Sequence, residues 1–260
     1  MVFQFYHHKA PLKTPKRIIS LVPSQTELLV DLGLEEHIVG ITKFCIHPSS
    51  LKNEKKIVGG TKNIKLESIS ALRPDVILCN KEENTKEIVA ACTKIAPTHV
   101  SNITTTGDVL KLINAYGEIF SCKEKAIQLR DTLCFALKNF SENLKNTKRL
   151  NTAYFIWKNP WMVAGNNTFI NSMLELNYFE NSFKSQERYP EIDLQKLETK
   201  NIDLILLSSE PYPFEEKHKS ELQKYAPSTK IIMVDGEMFS WYGSRLLKAF
   251  DYFERLHKSI

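Results

Sequence analysis

The chain has no apolar run approaching the ~20 residues of a membrane-spanning helix, so no segment reads as a span. It has no CxxC pair. Its five cysteines, Cys45, Cys79, Cys92, Cys122 and Cys134, are odd in number and scattered. They read as reduced thiols, mostly buried, rather than a disulfide framework or a zinc site. Nine glycines and eleven prolines in 260 residues are too few for a fibrous or low-complexity chain. There is no run of five like charges, and the net charge of +5 is spread along the chain. Without a basic stripe interleaved with aromatics, nothing points to nucleic acid as a partner. The opening MVFQFYHHKAPLKTPK has two histidines but no continuous apolar stretch, no small-residue cleavage site and no lipid-anchor cysteine. As written it predicts a cytoplasmic protein, periplasmic only if a leader was removed. The GxSxG, HExxH, P-loop and GxGxxG motifs are all missing.

What is present is an ordinary globular composition, 42% hydrophobic and 25% charged. The length suits one large domain or two lobes of about 120 residues each. Short β-rich runs alternate with helical periodicity. RIISLV (17–22), HIVGIT (37–42), KIVGG (56–60), DVILC (75–79) and THVSN (98–102) read as strands. TELLVDLGL, LESISALRP and residues 85–95 read as the helices between them. From Gly107 to Lys148 no proline occurs, and the helical spacing predicts one helix of about 25–30 residues, roughly 40 Å long. Strands resume at TAYFIW (152–157), NIDLILLSS and KIIMVDG (230–236), and SRLLKAFDYFERLHK closes as an amphipathic helix. Such alternation predicts an α/β fold with mainly parallel sheets covered on both faces.

The two halves echo each other. LESISALRPDVILCNKEE (66–83) aligns without gaps on LQKLETKNIDLILLSSEP (194–211), pairing Asp75 with Asp203 and Glu82 with Glu210. The expected organisation is an N-terminal lobe (1–106), an interlobe helix region (107–148) and a C-terminal lobe (149–260). Both lobes are Rossmann-like, and strand-end loops face a shared cleft, where ligands of open α/β sheets bind.

That layout, with RIISLVPSQTELLVDLGLEEHIVGIT and the helix ending in LRPDVI, resembles the helical-backbone metal-receptor family. These are the substrate-binding proteins for cobalamin, haem and iron–siderophore complexes that serve ABC importers. The resemblance covers nearly the whole chain and is most specific over 17–80. It implies two lobes joined by a rigid helix, with a bulky metal chelate bound between them. It also implies docking on a permease through one surface glutamate per lobe. Glu67 stands at the first-lobe position, but Gln195 stands at its second-lobe equivalent, which weighs against docking.

The candidate site residues sit on the loops after the strands. Phe44, Cys45 and His47 follow the HIVGIT strand; the Cys-x-His pair could ligate a soft metal, or His47 could be an axial ligand to cobalt or iron. Thr61, Lys62 and Asn63 follow paired glycines, which let backbone amides approach a ligand, and Lys62 could meet a carboxylate or phosphate. Lys81, Glu82 and Glu83 end the first-lobe repeat unit and Glu210 the second; facing carboxylates could hold a hard cation or a ligand's NH groups. The second half supplies Trp157, Trp161, Tyr189, Tyr212, Phe214, Phe239, Trp241 and Tyr242, flat side chains suited to a macrocycle. Arg188 and Arg245 suit propionate or phosphate groups. The reading is a protein that binds a corrinoid or another metal chelate as ligand, with no resident cofactor assigned. Two alternatives stand beside it. One is an enzyme using Cys45, His47 and the glutamates Glu82, Glu83, Glu210 and Glu237; the other is the binding component of an ABC importer.

Overall fold

The computed structural model describes residues 3–6 and 13–260. His7 and His8, noted near the N-terminus, lie outside the described residues. The chain divides into two compact units. The first comprises Met1–Phe135 and Tyr242–Leu247, the second Ala136–Trp241 and Lys248–Ile260. This differs from the boundaries expected at 106 and 148. Residues 107–135 belong to the first unit, and a short return near the C-terminus completes it.

The first unit holds six strands: β1 (Phe3–Tyr6), β2 (Ile18–Ser20), β3 (Ile38–Ile41), β4 (Lys56–Ile57), β5 (Val76–Asn80) and β6 (Thr98–Ser101). They order as β1-β6-β5-β2-β3-β4, parallel except where β1 runs antiparallel along β6. The connecting helices are α1 (Pro23–Asp31), α2 (Leu51–Glu54), α3 (Leu66–Ala71), α4 (Lys86–Cys92) and α5 (Thr106–Ile119). α1 opens on Pro23, tolerated because the first turn needs no amide donor there. α5 opens on a capping box between Thr105 and Asp108. The core joins Ile19, Leu21, Val58, Ile69, Ile77, Cys79 and Cys92, all fully buried.

The single long helix is corrected. α5 ends at Ile119, and α6 (Lys123–Asn143) starts again after Ser121, whose φ of 53° is left-handed. Buried Phe120 and the hydrogen bond from Cys122 N to Gly117 O fix the corner. No proline marks it, so the periodicity ran on through the break.

The second unit holds β7 (Leu150–Trp157), β8 (Met162–Val163), β9 (Phe179–Asn181), β10 (Leu204–Ser208) and β11 (Lys230–Val234). Its sheet orders as β11-β10-β7-β8, with β9 also pairing β7; only β8 is antiparallel. Its helices are α7 (Phe169–Leu176), α8 (Glu216–Leu222), α9 (Gly236–Ser240) and α10 (Leu246–Ser259), the last starting within the first unit's final residues. Ala153, Phe155, Ile205, Leu207 and Leu222 are fully buried at its core.

The internal repeat is present in the structure. β5 and β10 start and end at aligned positions, and the aspartates before them do the same job. Asp75 Oδ2 accepts the amides of Lys16 and Arg17 at 2.8 and 2.9 Å, while Asp203 Oδ2 accepts that of Asn151 at 2.8 Å. Each ties the start of its strand to the neighbouring strand. The helical half diverges: α3 is replaced in the second unit by two turns of 3₁₀ helix, Leu194–Lys196 and Glu198–Lys200.

His99 on β6 is fully buried, edge-on to Tyr116 at 5.5 Å. Burial holds its imidazole pKa down at about 4. Because the folded value lies below the ordinary 6.5, the unfolded chain takes up the proton first. Stability is therefore complete above pH 6.5 and falls as the pH drops towards 4, by about 3 kcal/mol in all for this group. Urea unfolding across that range should show the loss, and His99→Asn should remove it; an equal slope in the variant would refute this.

Candidate ligand-binding loops

In the first unit β3, β4 and β5 are carried by one parallel sheet, so the loops after them leave from one edge. The Cys-x-His pair is split by burial. Cys45 has no exposed surface, and its sulfur lies 3.1 Å from Thr26 Oγ1 and 3.3 Å from Thr42 Oγ1. Burial pushes its thiol pKa up, so the thiolate that ligation or nucleophilic attack needs is disfavoured. Cys45 thus leaves the candidate set as ligand and as nucleophile. His47 stays partly exposed, and Phe44 is 48% exposed. The Lys43 ammonium sits 4.9 Å from the centre of the Phe44 ring.

The glycine pair serves its own turn. Gly59 has φ of 124°, and Gly60 N donates to Asn63 O at 2.7 Å. Exposed Lys62 reaches out of this turn to the carbonyl of Glu82 at 2.6 Å, and the carbonyl of buried Thr61 accepts from Asn84 Nδ2 at 3.0 Å. The loops after β4 and β5 are therefore tied together. Asn80 shapes the second of them: its Oδ1 accepts the amides of Glu82 at 2.7 Å and Glu83 at 3.4 Å. Burial pushes the Glu83 carboxyl pKa up, against the opposing pull of Lys62 and a hydrogen bond from Thr61. Lys81 is exposed, its amide bound to Ser101 O. Sequence reasoning passed over Asn80 and Asn84; an asparagine at each end of KEE is the signal that could have found this turn.

Tyr242 and Arg245 are corrected from ligand contacts to internal supports of the first unit. The Tyr242 hydroxyl accepts from Gln25 Nε2 at 2.8 Å, and Gln25 Oε1 accepts from the Tyr116 hydroxyl at 2.7 Å. Arg245 Nε donates to Glu27 Oε2 at 2.8 Å, with both side chains about 95% buried.

In the second unit the loops after β7 and β10 carry an aromatic stack. Trp161 lies parallel to Phe214 at 5.9 Å and edge-on to Phe155 at 5.7 Å. Tyr212 packs on Phe214 at 4.8 Å and meets Trp157 edge-on at 5.5 Å. Trp157 is 38% exposed. Lys158 stands 5.0 Å over the Trp161 ring and pairs with Glu221. Glu210 is enclosed on another side: its Oε1 accepts from Ser240 Oγ at 2.8 Å and from Trp241 Nε1 at 2.9 Å. Trp241 is buried, and Phe239 has no exposed surface, so Phe239 is corrected from ligand contact to core. Glu237, partly buried, lies in the first turn of α9 with its amide on Asp235 Oδ1. Exposed Arg188 and partly buried Tyr189 follow a separate turn, where Arg188 exchanges backbone hydrogen bonds with Gly165 and Asn166. Among the described residues, no group of three or more His, Cys, Asp or Glu is arranged to hold a metal ion.

A sequence profile of the periplasmic binding protein family matches residues 18–226. The chain belongs to that family. An uncharacterized ABC transporter substrate-binding lipoprotein of Bacillus subtilis, YvrC, is 28% identical over 203 residues, 75% of this chain and 64% of its own length. The chain thus spans less than two thirds of that relative. A vitamin B12-binding protein of Yersinia pseudotuberculosis is 24% identical over 206 residues, covering 76% of this chain and 71% of its own. Among solved structures, the periplasmic vitamin B12 binding protein of Vibrio cholerae superposes with a TM-score of 0.79 at 18% identity, over 92% of this chain and 95% of its own. The family resemblance read from the opening strand and helix therefore holds. So does the two-unit α/β fold of mainly parallel sheets. The cytoplasmic setting read from the N-terminus finds no support in periplasmic binding proteins described as lipoprotein or periplasmic. No helix among the described residues is long and apolar enough to cross a membrane.

Proposed function

We propose that this periplasmic binding protein is the substrate-binding component of an ABC importer, and that its substrate is a corrinoid or another bulky metal chelate. The observation that carries the reading is the stack of Trp157, the last residue of β7, with Tyr212, Phe214 and Trp161 on the loops after β7 and β10, Trp157 left part-exposed at its end. Rigid rings at strand ends give a flat ligand wide contact with little loss of side-chain freedom. The vitamin B12-binding relative supports the choice of corrinoid, and the lipoprotein relative supports the importer as partner. The strand-end loops of the first unit carry accessible Phe44, Lys62 and Glu82 of their own, and Glu67, exposed on α3, is the candidate to face a permease, while Gln195 in the second unit lacks the carboxylate for that role.

Titration with cobalamin, cobinamide, haem and a ferric siderophore, followed by tryptophan fluorescence and ligand absorbance, tests the reading. Saturable quenching at micromolar ligand is expected with at least one of them, and no response to any would overturn it. Trp157→Ala should weaken that binding by about tenfold or more, measured calorimetrically, with little change in unfolding midpoint. An unchanged affinity would remove the stack from the site. His47 is the accessible half of the Cys-x-His pair, and we propose it as axial ligand. A shifted absorption band that survives His47→Ala would refute that role. Fractionation of the native host checks that the protein is exported.

A further inference from the structure

Among the described residues, the widely exposed large apolar side chains are Phe44, Leu66, Ile127, Phe135 and Trp157, and two of these share one helix. Phe44 and Trp157 belong to the candidate binding loops, and Leu66 opens α3. Ile127 and Phe135, 46% and 68% exposed, stand on α6. That helix runs unbroken from Lys123 to Asn143, so its own geometry fixes which of its residues share a face. Ala126, Leu133 and Phe140 recur every seven residues and are all buried, which defines the inner side. At about 100° per residue, the opposite side is centred on Asp131.

The outer face is symmetric about that residue. Ile127 and Phe135 lie four residues before and after Asp131, and Glu124 and Lys138 lie seven residues before and after it. All five side chains are exposed. Glu124 and Lys138 enter none of the ion pairs among the described residues. A lone exposed apolar residue on a helix needs no special cause. Two of them, set symmetrically between opposite charges, have the pattern of a self-complementary surface. When two copies of α6 lie antiparallel about a two-fold axis at Asp131, each Ile127 comes level with Phe135 of the other copy. Each Glu124 comes level with the other copy's Lys138. A parallel pairing would set Glu124 against Glu124 and Lys138 against Lys138, which like-charge repulsion disfavours. At the axis Asp131 meets its own mate, and Arg130 offsets that repulsion. Arg130 Nε and Nη2 donate to Asp131 Oδ1 at 2.8 and 2.7 Å, so each carboxylate arrives with its own cation.

We propose that α6 is the contact surface of a two-fold homodimer, in which Ile127 and Phe135 of two antiparallel helices cover each other and Glu124 pairs with Lys138 at both ends. One helix face is small for a protein interface, so the association is weak and reversible rather than obligate. The surface shares no residue with the candidate binding loops, and the inference stands whatever the ligand is.

Sedimentation velocity of the full chain at low salt, from about 5 to 500 μM, is the test. A reversible monomer–dimer equilibrium is expected, weakening as salt rises. Phe135→Glu should weaken it by about tenfold or more while the unfolding midpoint stays close to the parent's, since that ring is largely in water in the monomer. Glu124→Lys should weaken it too, and adding Lys138→Glu to that variant should restore it. In a Cys134→Ser background with oxidised glutathione, Asp131→Cys should form an interchain disulfide. Thr132→Cys, turned away from the axis, should not. A monomer at every concentration would overturn the dimer and leave the face to a different protein. A dimer indifferent to Phe135→Glu would lie on another surface and equally refute the proposal. Failure of the double charge exchange to restore association would refute the antiparallel register.

Discussion

Arg245→Ala is expected to cost about 3–5 kcal/mol of stability, because it strands the Glu27 carboxylate in the interior without its cation. The guanidinium and carboxylate meet at 2.8 Å, with side chains 4% and 5% exposed. Breaking one half of a buried pair is costlier than removing both, since the remaining charge keeps its desolvation penalty and loses its compensation. The double variant Glu27→Leu/Arg245→Met should therefore recover most of the loss. Urea unfolding of the three proteins measures both effects. A loss below about 1 kcal/mol in the single variant would show that the pair carries no such load. The double variant also separates support from recognition. With Arg245 as an internal support, the refolded double variant should bind whatever ligand the parent protein binds with unchanged affinity.

Phe239→Ala should cost about 3–5 kcal/mol, the range for emptying a packed aromatic site. The ring has no exposed surface and packs 5.0 Å from Tyr154 and 4.8 Å from Phe253, centre to centre. Phe44→Ala is the control, since nearly half of Phe44 is already in water, and its cost should be under about 1 kcal/mol. Equal losses in the two variants would mean that burial is not what distinguishes them. The two phenylalanines were indistinguishable as candidates in sequence, each following a strand within a polar loop.

The segment WYGSR shows why the site was less legible than the fold. Two aromatics, a glycine and an arginine after a strand have the composition of a binding loop, and the side chains are chemically fit for one. Their partners are far away in the chain: Tyr242 meets Gln25 across 217 residues, and Arg245 meets Glu27 across 218. No local pattern announces such a pairing. The same holds for Cys45, whose thiol is claimed by Thr26 and Thr42. The corner at Ser121 escaped for a different reason, because a left-handed serine between two helices of matching periodicity leaves no sequence punctuation.

The sequence by itself determined the alternation of strands and helices, the repeat that puts β5 and β10 in register, and the aspartates that tie each to its neighbour. These depend on periodicity, local turn chemistry and interactions one strand away, all carried by short stretches of chain. Tertiary structure decided which polar and aromatic side chains remain available to a ligand. It closed Cys45, Phe239, Tyr242 and Arg245 into the interior and left Phe44 and Trp157 in contact with solvent. Burial is a property of what packs on a residue from elsewhere in the chain. Identical chemistry therefore becomes support in one place and a site in another.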